Sequence, residues 1–236
     1  MNSITSFQEL LNRREPLCDE LQGSLHKNSL DGHMIHHPLV IEPFYAEELA
    51  ALCNERYRQK QEHVSKAALA QDWEHYIWLH ERPYRLQAFI DAMSRGLLYP
   101  VASSVELLRQ VWMDAEAPGI NLRIWVKLFQ MINSNLKSHL MDEEEREHLA
   151  SLPAAITIWR GVRKPPEKRY GISWSLSRER ATWFAKRFAA NGSKPTLYNA
   201  VIPKEVVTAY LDGRNEQEVI VLHAGSYKPK VVQLGG

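Results

Sequence analysis

The chain has 236 residues, long enough for one substantial domain with a helical extension, and its 44% hydrophobic against 24% charged content excludes a disordered chain. With 29 basic and 28 acidic residues the formal charge is +1, so no global field draws it to nucleic acid or an anionic membrane, and any polyanion site has to be local. Cys18 and Cys53 lie far apart without CxxC or Cys/His spacing, which argues against a disulfide framework or structural zinc and for a reducing, cytoplasmic setting.

The opening segment MNSITSFQELLNRREPLCDEL is interrupted by charges, so it reads as neither a secretory signal nor a membrane span. Ser6 to about Gly23 predicts a short amphipathic helix. The following LHKNSLDGHMIHHP, rich in turn formers and histidine, reads as a loop that closes a lead-in over residues 1–42. His33, His36 and His37 lack a partner cysteine or acid at a ligand spacing, so no metal is expected there. Beyond Pro43, apolar residues mostly three or four apart predict helices broken near Pro83.

Two further helical stretches follow, SSVELLRQVWMDAEA and NLRIWVKLFQMINSNLKSHL, the second with Leu122, Trp125, Leu128, Phe129 and Ile132 on one face. In MDEEEREHLASLP, Asp142 and Glu145 stand at capping-box spacing, and Pro153 ends the helix. The period then becomes strand-like in AAITIWRG, YGISWSLS, TLYNAVIP, VVTAYL, EVIVLHA and KPKVVQL. Between the second and third lies a helix, SRERATWFAKRFAANG, with Ser177 as its N-cap and Asn191-Gly192 as its stop. The expected fold is therefore α+β: a mainly helical region over 1–152, then a β-rich core over 153–236.

Three polar features interrupt the apolar strands in order: Arg160-Gly161, Ser173-Trp174-Ser175 and Glu216-Gln217-Glu218. Singly each has an ordinary reading: a solvated arginine at a turn, edge serines, a solvated acidic strand face. Their order and placement change this, because the arginine ends a strand, the serines precede a capped helix and the acids open EVIVL.

In these features residues 154–234 resemble the R-S-E class of mono-ADP-ribosyltransferases, which carry an aromatic-Arg-Gly on a first strand, a Ser-Thr-Ser-like strand and a Glu-x-Glu turn. The resemblance implies a split β-sandwich core and an enzyme that cleaves the nicotinamide–ribose bond of NAD and moves ADP-ribose to a macromolecular acceptor, without metal. It makes Glu218 the catalytic acid and Glu216 the acid on the acceptor side. Arg160, Gly161, Ser173, Ser175 and Tyr170 become the NAD-binding set, with Arg160 on the phosphates and Ser173 beside the nicotinamide ribose. Trp159 replaces the usual tyrosine or phenylalanine, and Trp174 the usual threonine. Period-2 alternation sends Trp174 to the face opposite Ser173 and Ser175.

By the family's pattern a glutamate at position 216 implies protein arginine as acceptor. The alternative is a nucleic-acid base, suggested by local basic residues Arg163, Lys164, Lys168 and Arg169. A scaffold retained as a binding module is the non-enzymatic alternative. The resemblance also implies an intracellular toxin or anti-phage effector, held by an antitoxin or inhibitor protein and without a membrane partner. Tyr210 is a second stacking candidate beside Tyr170, although buried tyrosine more commonly packs. The segment VWMDAEAPGINLRIWVKLF reads as packing, or as cover for the NAD cleft.

Overall fold

Proline and glycine punctuate the first ninety-eight residues. The computed structural model of the protein describes residues 7–163, 171–187, 194–232 and 234. Where one helix is predicted up to Gly23, two form, α1 (Phe7–Asn12) and α2 (Asp19–Gln22). Pro16 between them can neither donate to a helical ladder nor accommodate the preceding turn. Three strands follow, β1 (Leu25–Lys27), β2 (His33–His37) and β3 (Val40–Tyr45), in an antiparallel sheet of that order.

This sheet corrects the expected loop and adds β structure to a region predicted as mainly helical. Each strand is short, and the core receives little more than Ile35 and Val40, so the alternation that marks a strand is nearly absent. The histidines have structural partners: the Tyr84 hydroxyl meets His36 Nδ1 at 2.7 Å, and His37 Nδ1 accepts from the Leu39 N–H at 3.0 Å. Helices α3 (Ala50–Leu69), α4 (Trp73–Leu79) and α5 (Arg85–Arg95) complete the unit, with Pro83 in a 3-10 turn at the expected break. Asp72 caps α4 by accepting from His75 N at 3.1 Å.

The chain divides into two compact units, Met1–Leu98 and Tyr99–Gly236. Helices α6 (Ala102–Asp114), α7 (Leu122–Met131) and α8 (Glu143–Ser151), which precede the β-rich core set apart in sequence at 152/153, lie in the same unit as the second sheet. Trp125, Leu128, Phe129 and Ile132 of the predicted apolar face are buried. Trp112 meets Trp125 edge-on at 4.9 Å and Phe129 at 5.3 Å, which locks α6 onto α7.

The capping box forms as predicted, Glu145 N donating to Asp142 Oδ1 at 2.9 Å and Asp142 N to Glu145 Oε2 at 3.0 Å. Glu145 does more than its spacing suggests. It is buried, receives Arg109 Nη2 at 2.8 Å on Oε2, and accepts from the Asp212 N–H at 2.8 Å on Oε1.

All six predicted strands appear in the second unit: β4 (Ala155–Val162), β5 (Ser173–Ser175), β6 (Thr196–Pro203), β7 (Ala209–Leu211), β8 (Glu218–Ile220) and β9 (Lys230–Val232). They pair antiparallel in the order β7-β8-β5-β4-β6-β9, giving a mixed α+β chain. Among the described residues the halves β7-β8-β5 and β4-β6-β9 are joined by one pair, Trp159↔Ser175, whereas β4 and β6 pair along eight residues. Helix α9 (Arg178–Lys186) starts at Ser177, whose Oγ accepts from Arg180 N at 3.2 Å; the predicted stop at Asn191-Gly192 lies outside the described residues. Among the described residues no helix is long and apolar enough to cross a membrane.

Helix α9 crosses β4 at Gly161, where a Cβ would fall on the Ala181 carbonyl oxygen and within 2.6 Å of Ala185 N. Because those obstacles are backbone, no rotamer change relieves them. Gly161→Ala is expected to lower stability by about 1–3 kcal/mol, whether or not any ligand binds, in a urea unfolding curve.

Candidate active site

The seam between β4 and β5 collects the polar features that the sequence singles out. The Val221 N–H donates to the Ile172 carbonyl at 2.8 Å and the Leu176 N–H to the Gln217 carbonyl at 2.9 Å, so Ile172 and Leu176 turn these backbone groups toward the β8 side. By antiparallel alternation, Ser173 and Ser175 therefore turn their backbone groups the other way, toward β4. Ser175 finds Trp159 there. At Ser173 the ladder has already parted, and the Arg160 guanidinium enters in place of a strand N–H, Nη1 donating to the Ser173 carbonyl at 2.8 Å.

Gly171 makes room for this. A Cβ on it would lie 2.5 Å from Arg160 Nη2 and 2.6 Å from Cζ. The sequence reading passed over Gly171 in favour of its neighbour Tyr170, which lies outside the described residues.

Glu218 opens β8 opposite Ser175, so Ser173 is its diagonal neighbour on the same face. The Ser173 hydroxyl donates to Glu218 Oε1. Two further donors fill Oε2: Trp112 Nε1 at 3.1 Å and Arg214 Nη2 at 3.3 Å. Glu218 is only 3% exposed, and burial pushes its pKa above the ordinary carboxyl value, opposed by Ser173, Arg214 and Trp112 and reinforced by Glu216.

Glu216 stands apart from Glu218. Its side chain is 22% exposed and pairs with Arg214 Nη2 at 3.0 Å, so one guanidinium touches both acids. Left-handed backbone at Asn215 (φ 53°) and Gln217 (φ 48°) kinks the loop and lets the two carboxylates differ in burial. Arg214 also donates to the Met113 carbonyl at 3.1 Å and the Ala115 carbonyl at 3.5 Å, at the end of α6.

The predicted residues thus separate into two groups. Arg160, Ser173 and Glu218 meet in one hydrogen-bonded chain, with Glu216 at its outer end. Ser175 is 5% exposed and committed internally, donating to the Glu216 carbonyl at 2.8 Å and accepting from Ser177 N at 3.0 Å. Gly161 is required by the packing of α9. Trp174 is buried, as alternation predicts, and its indole donates to the Gly171 carbonyl at 3.0 Å. Tyr210 is also buried, stacked on His148 at 4.4 Å, its hydroxyl pKa pushed up to about 12 chiefly by burial, so it is a packing residue. Of the basic residues proposed to favour nucleic acid, Arg163 is exposed, while Lys164, Lys168 and Arg169 lie outside the described residues.

Sequence reasoning missed Trp112 and Arg214. Arg214 sits four residues before Glu218, a separation that carries no meaning in a loop, and Trp112 lies 106 residues away on a helix whose period explains it fully as core. A groove of about 750 Å³ in the first unit, lined by Arg14, Glu15, Leu17, His33, Tyr45 and Glu47, contains none of the predicted residues. Among the described residues no group of three His, Cys, Asp or Glu is placed to hold a metal. No family model, curated protein or solved structure matches the chain.

Gly171→Ala should displace the Arg160 guanidinium and cost about 1–3 kcal/mol in urea unfolding. In an Arg160→Ala background most of that cost should vanish. Additive costs in this double-mutant cycle would show that the two residues do not share the space.

Proposed function

We propose that the protein is an NAD-dependent mono-ADP-ribosyltransferase, that its second sheet is the split core of such an enzyme, and that protein arginine is the acceptor. The observation that carries this reading is the hydrogen bond from Ser173 to Glu218, next to a Ser173 carbonyl held by Arg160. Three features spread over some sixty residues of sequence converge on one seam, in the order that the resemblance requires. The parting of the sheet after the pair Trp159↔Ser175 supports the split architecture.

The residues fit the dinucleotide chemically. NAD supplies an activated C1′–nicotinamide bond and two phosphates. Arg160 brings to the seam, through the bond from its Nη1 to Ser173, a planar guanidinium, the group whose fork of donors matches phosphate oxygens. Cleavage develops positive charge on the ribose, and a carboxylate that accepts from the 2′-hydroxyl stabilises that charge as it forms. Glu218 must be ionised for this, and its burial makes the carboxylate's field strong because little water screens it. Glu216, more exposed and already paired with one guanidinium, has the chemistry to orient an arginine acceptor and take up its proton.

Incubation with labelled NAD and a cell lysate should release nicotinamide and label protein. Glu218→Gln, folded to the same circular dichroism spectrum, should reduce release by about 10²–10³-fold. Glu216→Gln should lose protein labelling while NAD hydrolysis persists. Label removed by nuclease and not by protease would reassign the acceptor to nucleic acid. Because burial raises Glu218, the acid limb of nicotinamide release should lie above the ordinary glutamate value of about 4.3.

A further inference from the structure

A carboxylate offers about four acceptor positions, two on each oxygen. Among the described residues Glu218 receives three donors, and their distribution is uneven. Trp112 and Arg214 take both positions on Oε2, and Ser173 takes one on Oε1. One acceptor position remains, on the oxygen beside Ser173.

We infer that Trp112 and Arg214 are positioning residues that saturate Oε2 and thereby present Oε1 of Glu218, beside Ser173, to the ribose hydroxyl. This rests on the reading of Glu218 as the acid that meets the NAD ribose. Trp112 is suited to the task because its ring is held edge-on against both Trp125 and Phe129, which fixes the direction of its N–H. Arg214 is fixed by the Met113 and Ala115 carbonyls at the end of the same helix. With Oε2 pinned from α6 and from the loop, the carboxylate plane cannot rotate to exchange its oxygens. The charged groups around it are Arg214 and Glu216 of its own loop and, across Ser173, Arg160 of β4; α6 and β5 face it with the neutral Trp112 and Ser173.

Trp112→Phe removes the donor and keeps a ring against Trp125 and Phe129, and Arg214→Met removes the other donor on a side chain that is 33% exposed. With NAD as substrate and the full chain, Trp112→Phe should lower kcat by about tenfold while KM stays within about twofold. The acid limb of the pH profile should move upward in both variants, further for Arg214→Met because a positive charge is lost. A KM increase with kcat unchanged, or an unmoved acid limb, overturns the assignment, since a merely structural role would leave the limb in place. If Trp112→Phe does not fold, Arg214→Met decides alone.

The titration of Glu218, followed by the carbon resonance of its labelled carboxyl group, separates this inference from the proposed activity. If the wild type releases no nicotinamide the transferase reading fails and the ribose goes with it, and raised midpoints in both variants then uphold only the pinning of Oε2 by Trp112 and Arg214. Unmoved midpoints overturn it.

Discussion

Much of the second unit follows from burying the carboxylate of Glu218. A charged group taken from water costs several kcal/mol unless donors replace the lost hydration. No single element supplies enough of them. β5 gives the Ser173 hydroxyl, the loop before β8 gives Arg214, and α6 gives the Trp112 indole. The third donor comes from α6, which lies in the same compact unit as the sheet and completes the hydrogen bonding of its buried acid.

Glu145 extends the same constraint. Its carboxylate holds Arg109 of α6 and the backbone N–H of Asp212, while Asp212 Oδ1 accepts from the Gln217 N–H at 2.9 Å. The loop carrying Glu216 is therefore held at Asp212 by α8, at Arg214 by the end of α6, and at Glu218 by Trp112. Two non-glycine residues in left-handed backbone, Asn215 and Gln217, fit such a loop, because local strain persists only where the surroundings over-determine the conformation. The consequence is a Glu-x-Glu turn whose two acids differ in burial: Glu218 is buried and Glu216 is partly exposed.

How much of this was legible in sequence depends on the range of the interaction. The six strands of the second unit, the N-cap at Ser177 and the Asp142–Glu145 box are local signals, and each appears where the residues predict it. The three-stranded sheet of the first unit was illegible because two core residues, Ile35 and Val40, carry most of its burial and its strands are rich in histidine. Arg160, Ser173 and Glu218, singled out by their types and order, come together in one hydrogen-bonded chain. Trp112 was not legible, since helical period accounts for a buried tryptophan completely and says nothing about where its N–H points. Nor was Gly171, whose role is the space it leaves for Arg160.

The energetics of Glu218 show a group that does not serve stability at neutral pH. Its pKa is raised by burial, so folding favours the protonated form. The group's contribution to stability is fully present below the ordinary carboxyl pKa and is lost as pH rises through the raised folded value. Above that value the fold carries an ionised glutamate at a net cost, which the three donors reduce without abolishing. An apolar side chain packed against Trp112 would avoid that cost, as replacements of buried ionic groups commonly do. Among the described residues the carboxylate is pinned through one oxygen and keeps one acceptor position on the other. In the proposed reaction its field would act where charge develops on the ribose, with the cost of holding it in place already met in folding.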